Sequence, residues 1–265
     1  MSKPAITGTI KSMKKIKENS KTKSKANGEL IFGMHSIIEL LKAKRRRLIK
    51  VYTTRKPPER WDQVQKLLPR GIDIQYVDRE VLNRLAGTTD HQNIIAWATP
   101  FVTRKKFFES KKQPFLLMLD GIQDPHNLGA ILRSAYCTGV DGIIITEKRS
   151  APINATAIKA SAGLAEHQEI IIVSSAAHGI IQLKGAGYTP YLATINGKNA
   201  LTITYEQPLC IVIGNEATGI SKDILSSGLQ VTLPQRTHDI SYNASVAAGI
   251  LLFLISELPT IKKNF

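Results

Sequence analysis

The residues best placed to do chemistry in this 265-residue chain sit where apolar runs end. Leu209–Ile213 is continuous, apolar and rich in β-branched residues, which reads as a buried strand. It stops at Gly214-Asn215-Glu216, with Gly219 close behind. Glycines at such a turn let main-chain N–H groups come close to a ligand. Val231–Leu233 is a second short apolar run, ended by Pro234. Ser241 and Asn243 are good N-cap types ahead of a helical pattern over Ala244–Ile255. Upstream, a strand over Phe115–Leu119 runs into a turn-rich loop, Asp120–Gly129, and then into a helix from about Asn127 to Thr138 that carries Arg133. Asn127 and Arg133 are six residues apart and need not share a helix face. With Asn127 at the N-cap, the long Arg133 side chain could reach back to the loop. Ligands in open α/β sheets bind outside the carboxyl ends of the strands, so these turns define a candidate pocket.

Several chemistries are disfavoured. No GxGxxG follows the first strand, and no GxxxxGK[ST] phosphate loop is present. His, Cys and acidic residues show no metal-ligand spacing, so no metal is expected. His238, Asp239 and Ser241 are near in sequence, but a hydrolytic triad needs geometry rather than proximity.

The elements that must position these residues alternate between strand and helix. Gly142–Thr146, Glu169–Val173 and Tyr188–Thr194 read as further strands, with helices over Asn154–Ala162 and Ala176–Leu183. Nearly continuous apolar strands in that alternation predict a parallel sheet covered on both faces. Leu30–Thr99 predicts a smaller α/β domain. It has helices over Ile37–Ala43, from Pro57-Pro58 to Leu68 and over Glu80–Leu85, and strands at Leu48–Thr53, Ile72–Val77 and Ile94–Ala98. Lys44-Arg45-Arg46-Arg47 closes its first helix with cations, which suits a helix C-terminus or a phosphate-binding face. The expected organisation is a basic flexible arm over 1–27, a substrate-binding domain over 28–100, a linker over 101–113 and a catalytic domain over 114–265.

Charge is partitioned the same way. Residues 1–112 hold 26 Lys and Arg against 10 Asp and Glu, and the remaining residues hold 10 against 11. The net charge of +15 therefore belongs to the N-terminal part, which favours a polyanion such as nucleic acid as partner. No apolar run approaches a membrane span. The lysine-rich start lacks the apolar core of a signal peptide, and no Arg precedes Arg45, unlike a mitochondrial presequence. Cys137 and Cys210, in apolar segments without CxxC spacing, read as reduced core residues of a cytoplasmic protein.

Three motifs then occur in order: NLGAILR (Asn127–Arg133), IVIGNEATGI (Ile211–Ile220) and LPQRTHDISYNASVA (Leu233–Ala247). Together they resemble the signature motifs of the SpoU (TrmH-type) branch of the SPOUT RNA methyltransferases. FGMHSIIELL (Phe32–Leu41) and HQNIIA (His91–Ala96) resemble the substrate-binding domain of the same family. The arrangement is similar to that of bacterial enzymes that methylate a guanosine 2′-hydroxyl in 23S rRNA.

The resemblance implies an α/β SPOUT domain with a deep trefoil knot, preceded by a small L30e-like RNA-binding domain. It implies S-adenosylmethionine as methyl donor, RNA as substrate (rRNA or a ribosome assembly intermediate) and a homodimer packed through the knotted domains. It places Asn127, Arg133, Glu216, Ser241 and Asn243 in the catalytic pocket. It places Thr194, Gly214, Asn215, Gly219, Ile220, Leu233, Tyr242 and Asn243 around the donor. Two departures stand out. Ala217 follows Glu216 where the family usually has Gly, and Tyr242 replaces the Leu of the usual Ser-Leu-Asn, after Gln235-Arg236-Thr237-His238 where small residues are common. They leave open an adenosine of rRNA, a tRNA ribose, or RNA binding without catalysis.

Overall fold

The computed structural model describes residues 28–237 and 240–258. The expected arm over 1–27 and the His238-Asp239 pair lie outside the described residues. The smaller domain is built from β1 (Glu29–Phe32), α1 (Met34–Ala43), β2 (Leu48–Thr53), α2 (Trp61–Leu67), β3 (Asp73–Tyr76), α3 (Arg79–Ala86) and β4 (Ile94–Ala98). Its sheet runs β1-β4-β2-β3; β4 is antiparallel to both neighbours, and β2 and β3 are parallel. β1 was not anticipated. Only four residues long, it pairs at the sheet edge, too short for a periodicity signal. Nor do the two prolines open α2. Arg60 adopts φ +65°, which breaks the helical path, so Pro58 starts a turn and the helix begins at Trp61.

The larger domain contains β5 (Phe115–Asp120), α4 (Pro125–Cys137), β6 (Gly142–Thr146), α5 (Ala155–Ala160), β7 (Ile170–Val173), α6 (Ala176–Gly185), β8 (Thr189–Asn199), β9 (Leu209–Gly214), β10 (Leu229–Thr232) and α7 (Ala244–Ser256). Its six strands run β10-β8-β9-β5-β6-β7, all parallel. Strand side chains alternate between faces, and the central strands split accordingly. Phe115, Leu117 and Leu119, with Leu209, Ile211 and Ile213, join α4 and α7 in one core. Leu116 and Met118, with Cys210 and Val212, join α6 in the other. Each such side chain contributes about 1.5–3 kcal/mol of burial. Cys210 is buried, but Cys137 is exposed at the end of α4, so it is not a core residue.

The expected linker is a strap. Phe101 packs against the cores of both domains. Phe108 is buried under Gly142, where a Cβ would lie 2.2 Å from its ring. The Arg104 N–H donates to the Ile170 carbonyl at 2.7 Å.

The basic run also does different work. Arg46 is 5% exposed, and its guanidinium donates to Glu166 at 2.9 Å, Glu29 at 2.8 Å and the Thr99 carbonyl at 2.7 Å. Arg45 pairs with Glu169 at 2.9 Å. Two of the four cations therefore join the domains instead of facing solvent. Burial pushes the Glu166 carboxyl above its ordinary value, and Arg46 pulls it back. Ile158 of α5 belongs to the smaller domain's core, which makes the seam partly apolar. Among the described residues no helix is long and apolar enough to cross a membrane.

Candidate functional site

The site forms where β5, β8, β9 and β10 end. Gly214 closes β9 because nothing larger fits: a Cβ there would lie 2.3–2.5 Å from the main chain of Gly219 and Ile220. Asn215 and Gly219 exchange main-chain hydrogen bonds at 3.0 and 2.9 Å, with Gly219 at φ +67°. Asn215 then uses both ends of its amide. Its oxygen accepts from the N–H groups of Ala217 and Thr218 at 2.9 and 3.0 Å, and its Nδ2 donates to the Gly121 carbonyl at 2.8 Å. One side chain thus shapes the second motif and ties it to the loop after β5.

Asp120 makes a second tie, which sequence reasoning missed. It is buried, and its carboxylate accepts from the Ser221 N–H at 2.7 Å and the Ser221 hydroxyl at 3.0 Å. The available signal was an acid closing an otherwise apolar buried strand.

Asn127 is not the N-cap of α4. Asp124 takes that place, accepting from the His126 N–H at 2.9 Å, with Pro125 at the first helical position. Asp124 satisfies the helix end, which frees the Asn127 amide to point elsewhere. Its Nδ2 donates to Glu216 at 2.9 Å, and its Oδ1 accepts from Asn243 Nδ2 at 3.2 Å. Asn243 is the N-cap of α7, accepting from the Ser245 N–H at 2.8 Å. One residue from each of the three motifs therefore stands in a single hydrogen-bonded row.

Beside this row opens a cleft of about 660 Å³, within the usual size of a small-molecule site. Thr194, Gly214, Asn215, Gly219, Ile220, Leu233, Ser241 and Tyr242 all line it, over an apolar floor that includes Ile213, Val231 and Leu251. Glu216 lies at both the row and the cleft, while Asn127 and Asn243 belong to the row alone. Arg133 is in neither. It is exposed on α4, and no hydrogen bond or ion pair engages its side chain among the described residues. The cleft is also lined by Gln235, whose Nε2 is buried without a partner among the described residues. Such a group costs about 1–3 kcal/mol until an acceptor meets it. An apolar floor, main-chain-rich turns and a waiting donor suit a nucleoside with polar substituents, the chemistry of S-adenosylmethionine.

Residues 114–253 match the SpoU rRNA methylase family, and residues 30–102 match the substrate-binding domain of RNA 2′-O ribose methyltransferases. The chain belongs to the SpoU rRNA methylase family. Among its relatives is the 23S rRNA (guanosine-2′-O-)-methyltransferase RlmB of Acinetobacter baylyi. The two are 33% identical over 241 residues, covering 86% of this chain and 96% of the relative. Two solved structures share the fold. The AdoMet-bound rRNA methyltransferase of Sinorhizobium meliloti has a TM-score of 0.73 at 21% identity, over 90% of this chain and 89% of that one. The SpoU methyltransferase AviRb of Streptomyces viridochromogenes, in complex with AdoMet, has a TM-score of 0.73 at 19% identity, over 88% and 91%. Enzyme class and donor are those the motifs imply: this SpoU methylase is an RNA 2′-O-ribose methyltransferase that uses S-adenosylmethionine.

Proposed function

We propose that this SpoU methylase modifies the ribose 2′-hydroxyl of a guanosine in 23S rRNA, acting in the cytoplasm on the RNA or on a ribosome assembly intermediate. The observation that carries the reading is the row Glu216–Asn127–Asn243 beside the large cleft. The RlmB relative, matched over nearly its whole length, supports the choice of nucleotide.

In this reading the turns at Thr194, Gly214–Ile220 and Leu233–Tyr242 hold the donor, largely through main-chain groups. When bound, its sulfonium supplies an electrophilic methyl group. The protein's task is then to hold the acceptor oxygen in line and close and to ease loss of the hydroxyl proton. Asn127, locked between Glu216 and Asn243, keeps a fixed orientation at the acceptor side, and Ser241 stands at the rim. Arg133 offers hydrogen-bond donors in a planar fork and no acceptor. It serves by holding an RNA phosphate and stabilising charge that develops on the 2′-oxygen.

Incubation with labelled S-adenosylmethionine and 23S rRNA, followed by mapping of modified riboses, tests the reading. A single modified guanosine is expected. No transfer to any RNA by folded, donor-binding protein overturns it. Arg133→Ala should abolish transfer and leave donor affinity within about twofold by calorimetry. Lost donor binding would contradict the role given to Arg133.

The knot and the dimer belong to the same proposal. Packing of α7 on α4, while β10 lies at the sheet edge beside β8, supports a threaded C-terminus. A crystallographic trace without threading would remove it. Val246 and Phe253 are seven residues apart on one stripe of α7 and exposed at 48% and 59%, which suits a dimer face. Val246→Glu should yield monomers by sedimentation, and an unchanged molecular mass would exclude that face.

A further inference from the structure

A second cavity, of about 320 Å³, opens on the seam between the domains. The smaller domain contributes Phe32, Thr88 and Asp90; the larger contributes His126, Thr156 and Lys159. Its position is informative. His126 directly precedes Asn127, so one turn of α4 serves both the row described above and this cavity.

The chemistry of the lining is specific. Lys159 reaches across the seam, donates to both the carboxylate and the main-chain carbonyl of Asp90, and lies 5.8 Å above the Phe32 ring. An ammonium has three donors; two are used, and one is left for an occupant. Asp90 offers acceptors beside it, and its negative charge opposes a phosphate there. Thr88 and Thr156 add hydroxyls that both donate and accept. The His126 ring has no partner among the described residues, and Phe32 gives an aromatic floor. Donors next to acceptors, an aromatic floor and no net positive charge describe the surroundings of a nucleobase. Sequence-specific RNA recognition takes unstacked bases, stacks them on aromatic rings and reads their hydrogen-bonding edges.

We propose that this seam cavity takes an unstacked base of the RNA next to the ribose being methylated, so that the smaller domain reads sequence at the catalytic turn. The proposal rests on the substrate reading above. It also accounts for the ion pairs and apolar packing across the seam: a base pocket shared by two domains works only if they hold their spacing.

Thr156→Trp fills the cavity from a residue outside the row, and Thr88→Trp fills it from the opposite wall. With transcribed 23S rRNA as probe, each should raise KM for RNA about tenfold or more. The kcat should stay within about twofold, and donor affinity by calorimetry should not change. Thr156→Ser, which keeps the space and the hydroxyl, should behave as wild type. Thermal unfolding checks that the filled variants are folded. If Thr156→Trp misfolds, Thr88→Trp carries the test. Wild-type KM in a folded, filled variant overturns the proposal, as does a fall in kcat with KM unchanged. If the wild-type chain methylates no RNA, the substrate reading fails. The cavity is then judged by RNA affinity alone: weaker binding of the same transcript to the filled variants sustains it, and equal binding removes it.

Discussion

The catalytic turns and the domain seam solve opposite problems with different residues. At the turns, most contacts come from side-chain amides and main chain, such as Asn215 on Gly121, Asn127 on Glu216 and Asn243 on Asn127, with the Asp120 carboxylate beneath them on Ser221. At the seam, contacts are ionic: Arg46 is buried between Glu29 and Glu166, and Lys159 meets an exposed Asp90. The turns must leave hydrogen-bonding capacity for ligands, and neutral amides can hold a loop without a strong local field. The buried Arg46 cluster lines neither cavity, so it can use interactions that are intolerant of change. Substitutions in the Arg46 cluster should therefore act on stability, and those at the turns on binding and turnover.

The sharpest break is Arg46→Ala. It leaves Glu166 buried without its hydrogen-bonded cation, and breaking such a pair costs roughly 3–5 kcal/mol. Chemical unfolding should show that loss, while methyl-donor affinity in the protein that remains folded is unchanged. A loss below about 1 kcal/mol would mean the seam does not hold the domains as described.

Asp120→Ala tests the turns from beneath. Two hydrogen bonds from Ser221 to a buried carboxylate would vanish, each worth about 1.5–3 kcal/mol because the acceptor is charged. Since those bonds fix the Gly214–Ser221 turn, donor affinity should fall more than tenfold, measured by calorimetry. Asp120→Asn, which keeps one acceptor, should fall between. Unchanged donor affinity in a folded Asp120→Ala protein would detach this carboxylate from the cleft.

Asn243 separates the two kinds of work in one residue. Asn243→Asp keeps the cap, since Asp caps as well as Asn, but removes the donor to Asn127. Stability should stay within about 0.5 kcal/mol while methyl transfer drops by an order of magnitude or more. Asn243→Ala should lose both, with about 1 kcal/mol of stability from the missing cap. Full turnover in Asn243→Asp would show that the row has no part in catalysis.

The same contrast explains what could be read from the residues in order. Long apolar strands such as Leu209–Ile213 and the cap at Asn243 are local signals, and they lie where periodicity and capping chemistry place them. The family motifs brought Asn127, Glu216 and Asn243 to attention, but their hydrogen bonds span 89 and 116 residues, a separation that no local pattern encodes. Arg46 misled for a related reason. In a run of four cations nothing local distinguishes the one that meets Glu166, 120 residues away. Asn127 was misplaced as a cap because Asp124, Asn127 and the intervening Pro125 all suit a helix start, and only the three-dimensional arrangement decides among them.

The smallest expected effect is a pH dependence seated in the smaller domain. His91 is fully buried; its Nδ1 accepts from the Asn93 N–H at 3.0 Å, which leaves the proton on Nε2, 2.7 Å from Asn83 Oδ1. A second proton would break the Asn93 bond. Burial first, then the nearby cations Arg79 and Lys159, hold the ring below its ordinary value near 6.5, against the opposing pull of Asp90. The unfolded chain therefore takes up a proton before the folded one does. Stability from this residue is complete above about pH 6.5 and is lost as pH falls below it, toward the depressed folded value. Stability should therefore fall between pH 7 and 5.5, read by denaturant unfolding at each pH. His91→Gln, which cannot titrate there, should flatten that part of the profile. Asn243→Asp should not alter it, because it leaves the His91 contacts in place. An identical acid slope in wild type and His91→Gln would assign the loss to other groups and remove this histidine from the account of the smaller domain's stability.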